Sequence, residues 1–297
     1  MRDVYERMLR AAGTRGRFVA VEGGRRVHVI ESGHGVPVVH LHGNNTSALS
    51  HLMLLEHTTA ARSYLVDRPG MGLSETSDFP RGRFRDFAVR FVNDLLDALE
   101  LDDAVLVGAS GGGVYATYFA IDHPHRVRGL VMLGSTPALP GGHVPLPLRM
   151  MATPVLGGVL TRAVRPGRRM VLGMMASVGE ANTITRHPDL LDSLVAGARD
   201  PAAVAANRAE LKALISPFGF RSATRIRPEE LRHLAVPTLM IWGDHDPVVP
   251  LEAARATARL IPHAHLEVLP AGHVPQLGHP EQVGKLLTTF ANGLSDA

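Results

Sequence analysis

Ser110 lies in Gly108-Ala109-Ser110-Gly111-Gly112, between the apolar run Ala104-Val105-Leu106-Val107 and an apolar stretch from Val114 to Ala120. A serine hydroxyl is a weak nucleophile at neutral pH. To do chemistry it needs a base beside it and a carboxylate to orient that base. Gly-x-Ser-x-Gly between a strand and a helix is the pattern of a nucleophile elbow, a strained turn that presents the serine at the strand end. The flanking glycines allow helix and strand to approach closely. The helix N-terminus then aims free N–H groups and its positive dipole end at the same point.

Two later strand ends offer the missing partners. Thr238-Leu239-Met240-Ile241-Trp242 runs into Gly243-Asp244-His245-Asp246, and Leu266-Glu267-Val268-Leu269 runs into Pro270-Ala271-Gly272-His273. In a parallel sheet such groups belong at the C-terminal strand ends, where loops face one crevice. The chain order serine, aspartate, histidine is that of an elbow-type sheet. Asp244 and Asp246 compete for the acid. An earlier strand, Leu130 to Leu133, ends in Gly134-Ser135-Thr136 without a carboxylate. Of 16 histidines, His263 and His265 flank a strand start and are expected at the surface. His40-x-His42 has the spacing of a metal pair, but no HExxH or carboxylate-rich context accompanies it, so no metal site is predicted.

The elements that must position these groups follow from periodicity. Strands are predicted at 18–21, 27–30, 37–41, 63–66, 104–107, 130–133, 238–242 and 266–269, and helices at 2–13, 48–60, 84–99, after Ser110, near 251–260 and at 280–293. Phe84, Phe87, Phe91, Leu95, Leu96 and Leu99 give the 84–99 helix its apolar face. Alternating strands and helices imply a mainly parallel central sheet flanked by helices, with the opening strands antiparallel. Residues 137–233 break the alternation. They are rich in Pro, Gly, Met and Arg and hold helical stretches without a buried strand, so they are predicted to be a helical insertion. The core is then 1–136 and 234–297.

Composition bounds the rest. The 297 residues are 45% hydrophobic and 20% charged, enough for a large core without disulfides or metal. The absence of cysteine excludes disulfides and thiolate chemistry. The N-terminus alternates charge with apolar residues, which predicts no secretory signal and a cytoplasmic protein. No segment has the length and apolarity of a membrane span. The net charge of +3 comes with no basic block bearing interleaved aromatics, so no nucleic-acid surface is predicted.

Taken together, His42-Gly43-Asn44, Asp67-Arg68-Pro69-Gly70-Met71-Gly72-Leu73-Ser74, Gly108-Ala109-Ser110-Gly111-Gly112, Gly243-Asp244-His245-Asp246 and Gly272-His273 resemble the α/β-hydrolase superfamily over nearly the whole chain outside the insertion. The resemblance implies the α/β-hydrolase fold with a helical cap at 137–233. It implies Ser110 as nucleophile, Asp246 rather than Asp244 as acid, and His273 as base. It gives the backbone N–H groups of Gly111 and Asn44 to an oxyanion hole. The Asn44 side chain either enters the pocket or braces its loop as an Asx-turn. Asp67 and Arg68 fall in a signature expected to be structural, held by local hydrogen bonds. Met150, Met151, Met170, Met174 and Met175 fill a helical core or, as adaptable side chains, line a substrate pocket, with Met150 and Met174 the candidates. Arg149, Arg162, Arg165, Arg168 and Arg169 read as a solvated face.

Within the superfamily, Ser110 stands where haloalkane dehalogenases and epoxide hydrolases carry aspartate. Tyr5, Tyr64, Tyr115 and Tyr118 all lie outside the insertion, where the epoxide hydrolases carry cap tyrosines. Asn44-Asn45 and Val274 depart from the pattern of C–C bond hydrolases, and Gly111 from the tryptophan of proline iminopeptidases. The expected function is a serine esterase cleaving a small-molecule carboxylic ester or lactone through an acyl-enzyme, without a cofactor. The alternatives are a cofactor-free perhydrolase or haloperoxidase, a C–C bond hydrolase, or a non-catalytic ligand-binding receptor.

Overall fold

The computed structural model describes residues 1–58, 60–134, 136–144, 146–153 and 166–294. Eight strands form one sheet: β1 (Arg15–Val21), β2 (Arg25–Ser32), β3 (Val36–Leu41), β4 (Ala61–Val66), β5 (Ala104–Ala109), β6 (Val127–Leu133), β9 (Thr238–Gly243) and β10 (Ala264–Leu269). Their spatial order is β1-β2-β4-β3-β5-β6-β9-β10. β1 pairs antiparallel with β2, and β2 antiparallel with β4. The remaining pairings are parallel, from β4–β3 through β9–β10. This is the α/β-hydrolase fold expected above.

Both faces of the sheet are covered, and the alternation along β5 shows how. Ala104 and Leu106 belong to a core shared with α2 (Phe84–Ala98) and α3 (Gly111–Asp122), through Phe91, Val92, Leu95, Val114 and Phe119. Val105, Val107 and Ala109 point the other way, onto Leu54 and onto Val283 and Leu287 of the C-terminal helix Pro280–Gly293. Successive side chains of a strand alternate faces, so a strand apolar at every position must sit between two helical layers.

α1 (Arg2–Ala11) opens the chain. Between β6 and β9 the described residues form α4 (Leu146–Met151), α5 (Arg168–Ser177), α6 (Ala181–Ile184), α7 (Pro188–Arg199), α8 (Pro201–Leu214) and α9 (Pro228–Arg232). The segment also holds a short hairpin, β7 (Ile215–Ser216) with β8 (Gly219–Phe220), where no strand was expected. Strands of two residues are too short to leave a period in the sequence. The helix expected at 48–60 is there, ending three residues earlier. Residues Ala48–His57 form a 3-10 helix rather than an α-helix. Leu49, Leu52 and Leu55 recur every third residue and are buried in one cluster, which suits three residues per turn.

Candidate active site

The turn from β5 to α3 is a single residue, Ser110, at φ 50° and ψ −116°. A non-glycine residue with positive φ is uncommon and costs strain, so the surrounding packing must hold it there. That packing is tight. A side chain on Gly112 would overlap the Leu41 carbonyl, and one on Gly108 would come within 2.5 Å of the Gly113 Cα. The elbow glycines therefore allow β5, α3 and β3 to converge under the serine.

Ser110 Oγ is 2.8 Å from His273 Nε2, and His273 Nδ1 is 3.1 Å from Asp246 Oδ2. A carboxylate only accepts, so Nδ1 carries the proton and Nε2 of the neutral ring accepts from the serine hydroxyl. Asp246 is fixed from its other side, where Oδ1 accepts from Val248 N at 2.7 Å and Val249 N at 3.3 Å. Both Asp246 and His273 are buried. Asp244 faces elsewhere, onto His245 Nδ1 and Ala271 N. Of the two competing aspartates, it is Asp246 that reaches His273. Such a chain can pass a proton from the hydroxyl to the ring and hold the imidazolium that results.

Gly111 starts α3 beside Ser110, and the loop carrying Asn44 follows β3. Neither backbone N–H donates to a protein acceptor among the described residues. The Asn44 side chain braces its loop, but against α8 rather than through an Asx-turn. Its Nδ2 donates to Glu210 Oε2 at 2.7 Å, across 166 residues, while its Oδ1 lies over the Cα of Gly111.

Arg68 was expected in a locally bonded loop, and that expectation needs correction. Its Nε donates to the His42 carbonyl at 2.7 Å, and its Nη1 pairs with Glu210 Oε1, both side chains being about 1% exposed. Tyr115 donates to the same Glu210 oxygen at 2.7 Å, and the guanidinium lies over the Tyr115 ring. Burial and the Glu210 charge push the Tyr115 phenol well above its ordinary pKa. Asp67 is more nearly the structural hub anticipated. It accepts from Tyr5, His28, Ala48 N and Leu73 N. His42 and His40 do not converge on a common point. His42 Nε2 accepts from Arg68 N, whereas the His40 ring packs edge-on to His51. Burial holds His40 well below its usual pKa and His51 down to about 4.

Among the described residues the helical insertion meets the loops beside Ser110 at α8 and at the turn after α5. Asn207 and Glu210 lie three residues apart on α8 and meet the loop after β3, Asn207 through Asn45. The turn after α5 meets the histidine loop, where the Val178 carbonyl accepts from His273 N at 3.0 Å and Glu180 Oε1 from Val274 N at 3.0 Å. Burial raises the Glu180 carboxyl from its ordinary range. Sequence reasoning missed Glu180, Asn207 and Glu210. For the α8 pair a signal existed. Asn207 and Glu210 occupy the stripe of Leu211 and Leu214, where an amphipathic helix carries apolar residues. For Glu180, in an irregular turn, there was none.

Met174 is half-buried against the cluster of Tyr5, Leu49 and Leu277, with Val274 alongside. Met150 is half-buried on α4. Arg149 is half-buried and donates to the Pro217 carbonyl, and Arg168 is exposed near Asp192. Ser135, Arg162 and Arg165 lie outside the described residues. Among the described residues no three His, Cys, Asp or Glu side chains converge as metal ligands, and no helix is long and apolar enough to cross a membrane.

Residues 36–280 match the model of the alpha/beta hydrolase fold family, which covers most of the chain, and the protein belongs to that family. Two relatives give the neighbourhood within it. The chain is 31% identical over 267 residues to a pimeloyl-[acyl-carrier protein] methyl ester esterase of Xanthomonas oryzae pv. oryzae, covering 89% of this chain and 98% of the relative. It is 29% identical over 281 residues to a 2-hydroxy-6-oxononadienedioate/2-hydroxy-6-oxononatrienedioate hydrolase of Paraburkholderia phymatum, covering 91% and 93%. Among solved structures, the carboxylesterase CesB of Bacillus subtilis has the same fold, with a TM-score of 0.78 at 23% identity over 98% of this chain and 96% of that one.

Proposed function

We propose that this α/β-hydrolase is a serine esterase that cleaves a small-molecule carboxylic ester or lactone through an acyl-enzyme. The observation that carries the reading is the unbroken hydrogen-bond chain from Ser110 Oγ through His273 to Asp246, starting from a serine held at positive φ. Ser110 attacks the carbonyl carbon as its proton passes to His273 Nε2. Asp246 keeps the Nδ1 proton in place and stabilises the imidazolium. The N–H groups of Gly111 and Asn44 hold the oxyanion of the tetrahedral intermediate. His273 returns the proton to the leaving alkoxide, and water repeats the sequence to release the acid. No cofactor enters these steps.

Residues 137–233 act as the cap over this site, and residues 1–136 with 234–297 as the core. The contacts of α8 and of the 178–180 turn with the two loops beside Ser110 support that division. Met150 and Met174 are the cap's candidates for contact with the acyl group. The esterase relative of Xanthomonas oryzae supports ester chemistry. A fluorophosphonate probe is expected to label the wild type and leave Ser110→Ala unlabelled. Labelling that persists in Ser110→Ala overturns the assignment.

One observation favours a second reading, cleavage of a carbon–carbon bond beside a ketone. The relative from Paraburkholderia phymatum is named for a 2-hydroxy-6-oxo acid, which has no ester to hydrolyse. Turnover of such a keto acid, with esters of matched length untouched, would select it.

A further inference from the structure

The oxyanion donor Asn44 belongs to a loop with little of its own to hold it. Gly43 precedes it, Asn45 follows at φ 56°, and the loop's internal ties are the bonds of Thr46 and His42 to the Gly43 carbonyl. The remaining ties come from elsewhere, from Asn207 and Glu210 on α8 and from Arg68, whose backbone N–H also donates to His42 Nε2. Asn207 takes Asn45, by backbone and by side chain. Glu210 takes the Asn44 amide directly. It also takes Arg68 Nη1, and Arg68 Nε holds the His42 carbonyl at the loop's other end.

One carboxylate therefore grips both sides of the residue whose N–H faces the reacting carbonyl. Its two oxygens divide the work, Oε2 to Asn44 and Oε1 to Arg68 and Tyr115. Arg68, Tyr115 and Glu210 are buried and Asn44 is half-buried, and a charge-assisted bond in such a setting fixes direction as well as distance. The Asn44 Oδ1 lies where a side chain on Gly111 would stand, so the loop and the start of α3 pack against each other beside Ser110.

We propose that Glu210 is a positioning residue for the reaction. From the insertion it fixes the Asn44 N–H at the oxyanion position, so the oxyanion hole is complete only while α8 is seated on the core. The inference rests on the esterase reading. It goes beyond that reading in giving the insertion a part in the chemical step besides covering the substrate.

An oxyanion forms only in the transition state, so a displaced donor lowers kcat and leaves KM nearly alone. The test compares steady-state hydrolysis of a p-nitrophenyl ester by wild type, Glu210→Gln, Asn44→Ala and the double variant. Inhibition by a trifluoromethyl ketone, whose hemiketal mimics the oxyanion, is measured alongside. In Glu210→Gln an amide NH2 meets Arg68 or Asn44, and one tie is lost. The kcat is expected to fall roughly 10- to 100-fold with KM within threefold, and ketone inhibition to weaken by the same factor.

Glu210→Gln leaves a buried guanidinium without its counter-charge; where that variant does not fold, Asn44→Ala, which keeps the ion pair, carries the test alone. It is expected to lose kcat to the same degree, although its backbone N–H is still present. If Glu210 acts through Asn44, the double variant is no slower than the slower single one. Two single effects that multiply in the double variant overturn the proposal, as does a kcat within twofold of wild type in Asn44→Ala. A wild type that hydrolyses no ester overturns the esterase reading and this proposal together. An active wild type with unaffected variants overturns the proposal alone.

Discussion

The loops at the strand ends and the insertion between β6 and β9 contribute to the same site by different physics. The strand-end groups are placed by local backbone geometry. Ser110 sits on a one-residue turn, and Asp246 is held by the N–H groups of the next two or three residues. The insertion acts at long range. Glu210 meets Arg68 and Asn44 across 142 and 166 residues, and Glu180 meets Val274 across 94. On the proposed reading the first region supplies the reacting atoms, and the second fixes two of its loops. Changes in the first should therefore abolish chemistry with little unfolding. Changes in the second should cost stability and reduce the rate more modestly.

The sharpest way to break that contrast lies in the two neighbouring aspartates. Asp246→Asn turns the orienting acceptor into a group that no longer selects the Nδ1–H tautomer, and kcat is expected to fall by about four orders of magnitude. Asp244→Asn, which loses only bonds to His245 and Ala271, should stay within about threefold. Steady-state ester hydrolysis by the two variants, at matched folded content by circular dichroism, checks this. The reverse ranking would move the acid to residue 244.

Acid stability probes the strand-end region separately from its chemistry. The His51 ring is buried, has no hydrogen-bond partner among the described residues, and titrates at about 4 in the folded protein against about 6.5 unfolded. The folded value is depressed, so this contribution is intact above pH 6.5 and is lost as pH falls toward 4. It amounts to roughly 3 kcal/mol over that window. His40 adds a contribution of the same sign. Urea titrations of wild type and His51→Leu between pH 7 and pH 4 should show the variant losing less stability by that amount. Parallel losses would show that His51 takes up its proton without unfolding the chain.

The smallest expected effect is Asn207→Ala on α8. Removing its two bonds to Asn45 should cost about 1–2 kcal/mol of stability and lower kcat by no more than about fivefold, because Glu210 still holds Asn44. Thermal unfolding and ester kinetics on one preparation measure both. A rate loss comparable with that of Asp246→Asn would erase the distinction between the two regions.

The same division governs how much could be read from the sequence. Strand and elbow signals are local. The apolar run at 104–107, the glycines around Ser110 and the Gly243 and Gly272 strand ends lie within a few residues of the groups they place. Each strand of the eight-stranded sheet was legible for that reason, and the structure extends most of them by one to three residues. The helix at 48–57 was legible, while its 3-10 pitch shows only in the structure. The short hairpin after α8 left no period to read. Arg68 and Glu210 show the deeper limit. Each alone is an ordinary charged residue, one in a loop and one on a helix. Only the fold reveals that both are buried and paired, although a glutamate on the apolar stripe of α8 was a mark that a closer reading would have caught.

The central claim is that Ser110 forms a covalent bond to the acyl group during turnover. Acid-quenching the enzyme within milliseconds of mixing with a p-nitrophenyl ester, followed by peptide-mapping mass spectrometry, tests it directly. The account predicts that the acyl mass appears on the peptide containing Ser110, and accumulates further in His273→Gln if deacylation there slows more than acylation. Turnover of the ester with the acyl group on another residue, or with no acylated peptide at any quench time, would contradict it.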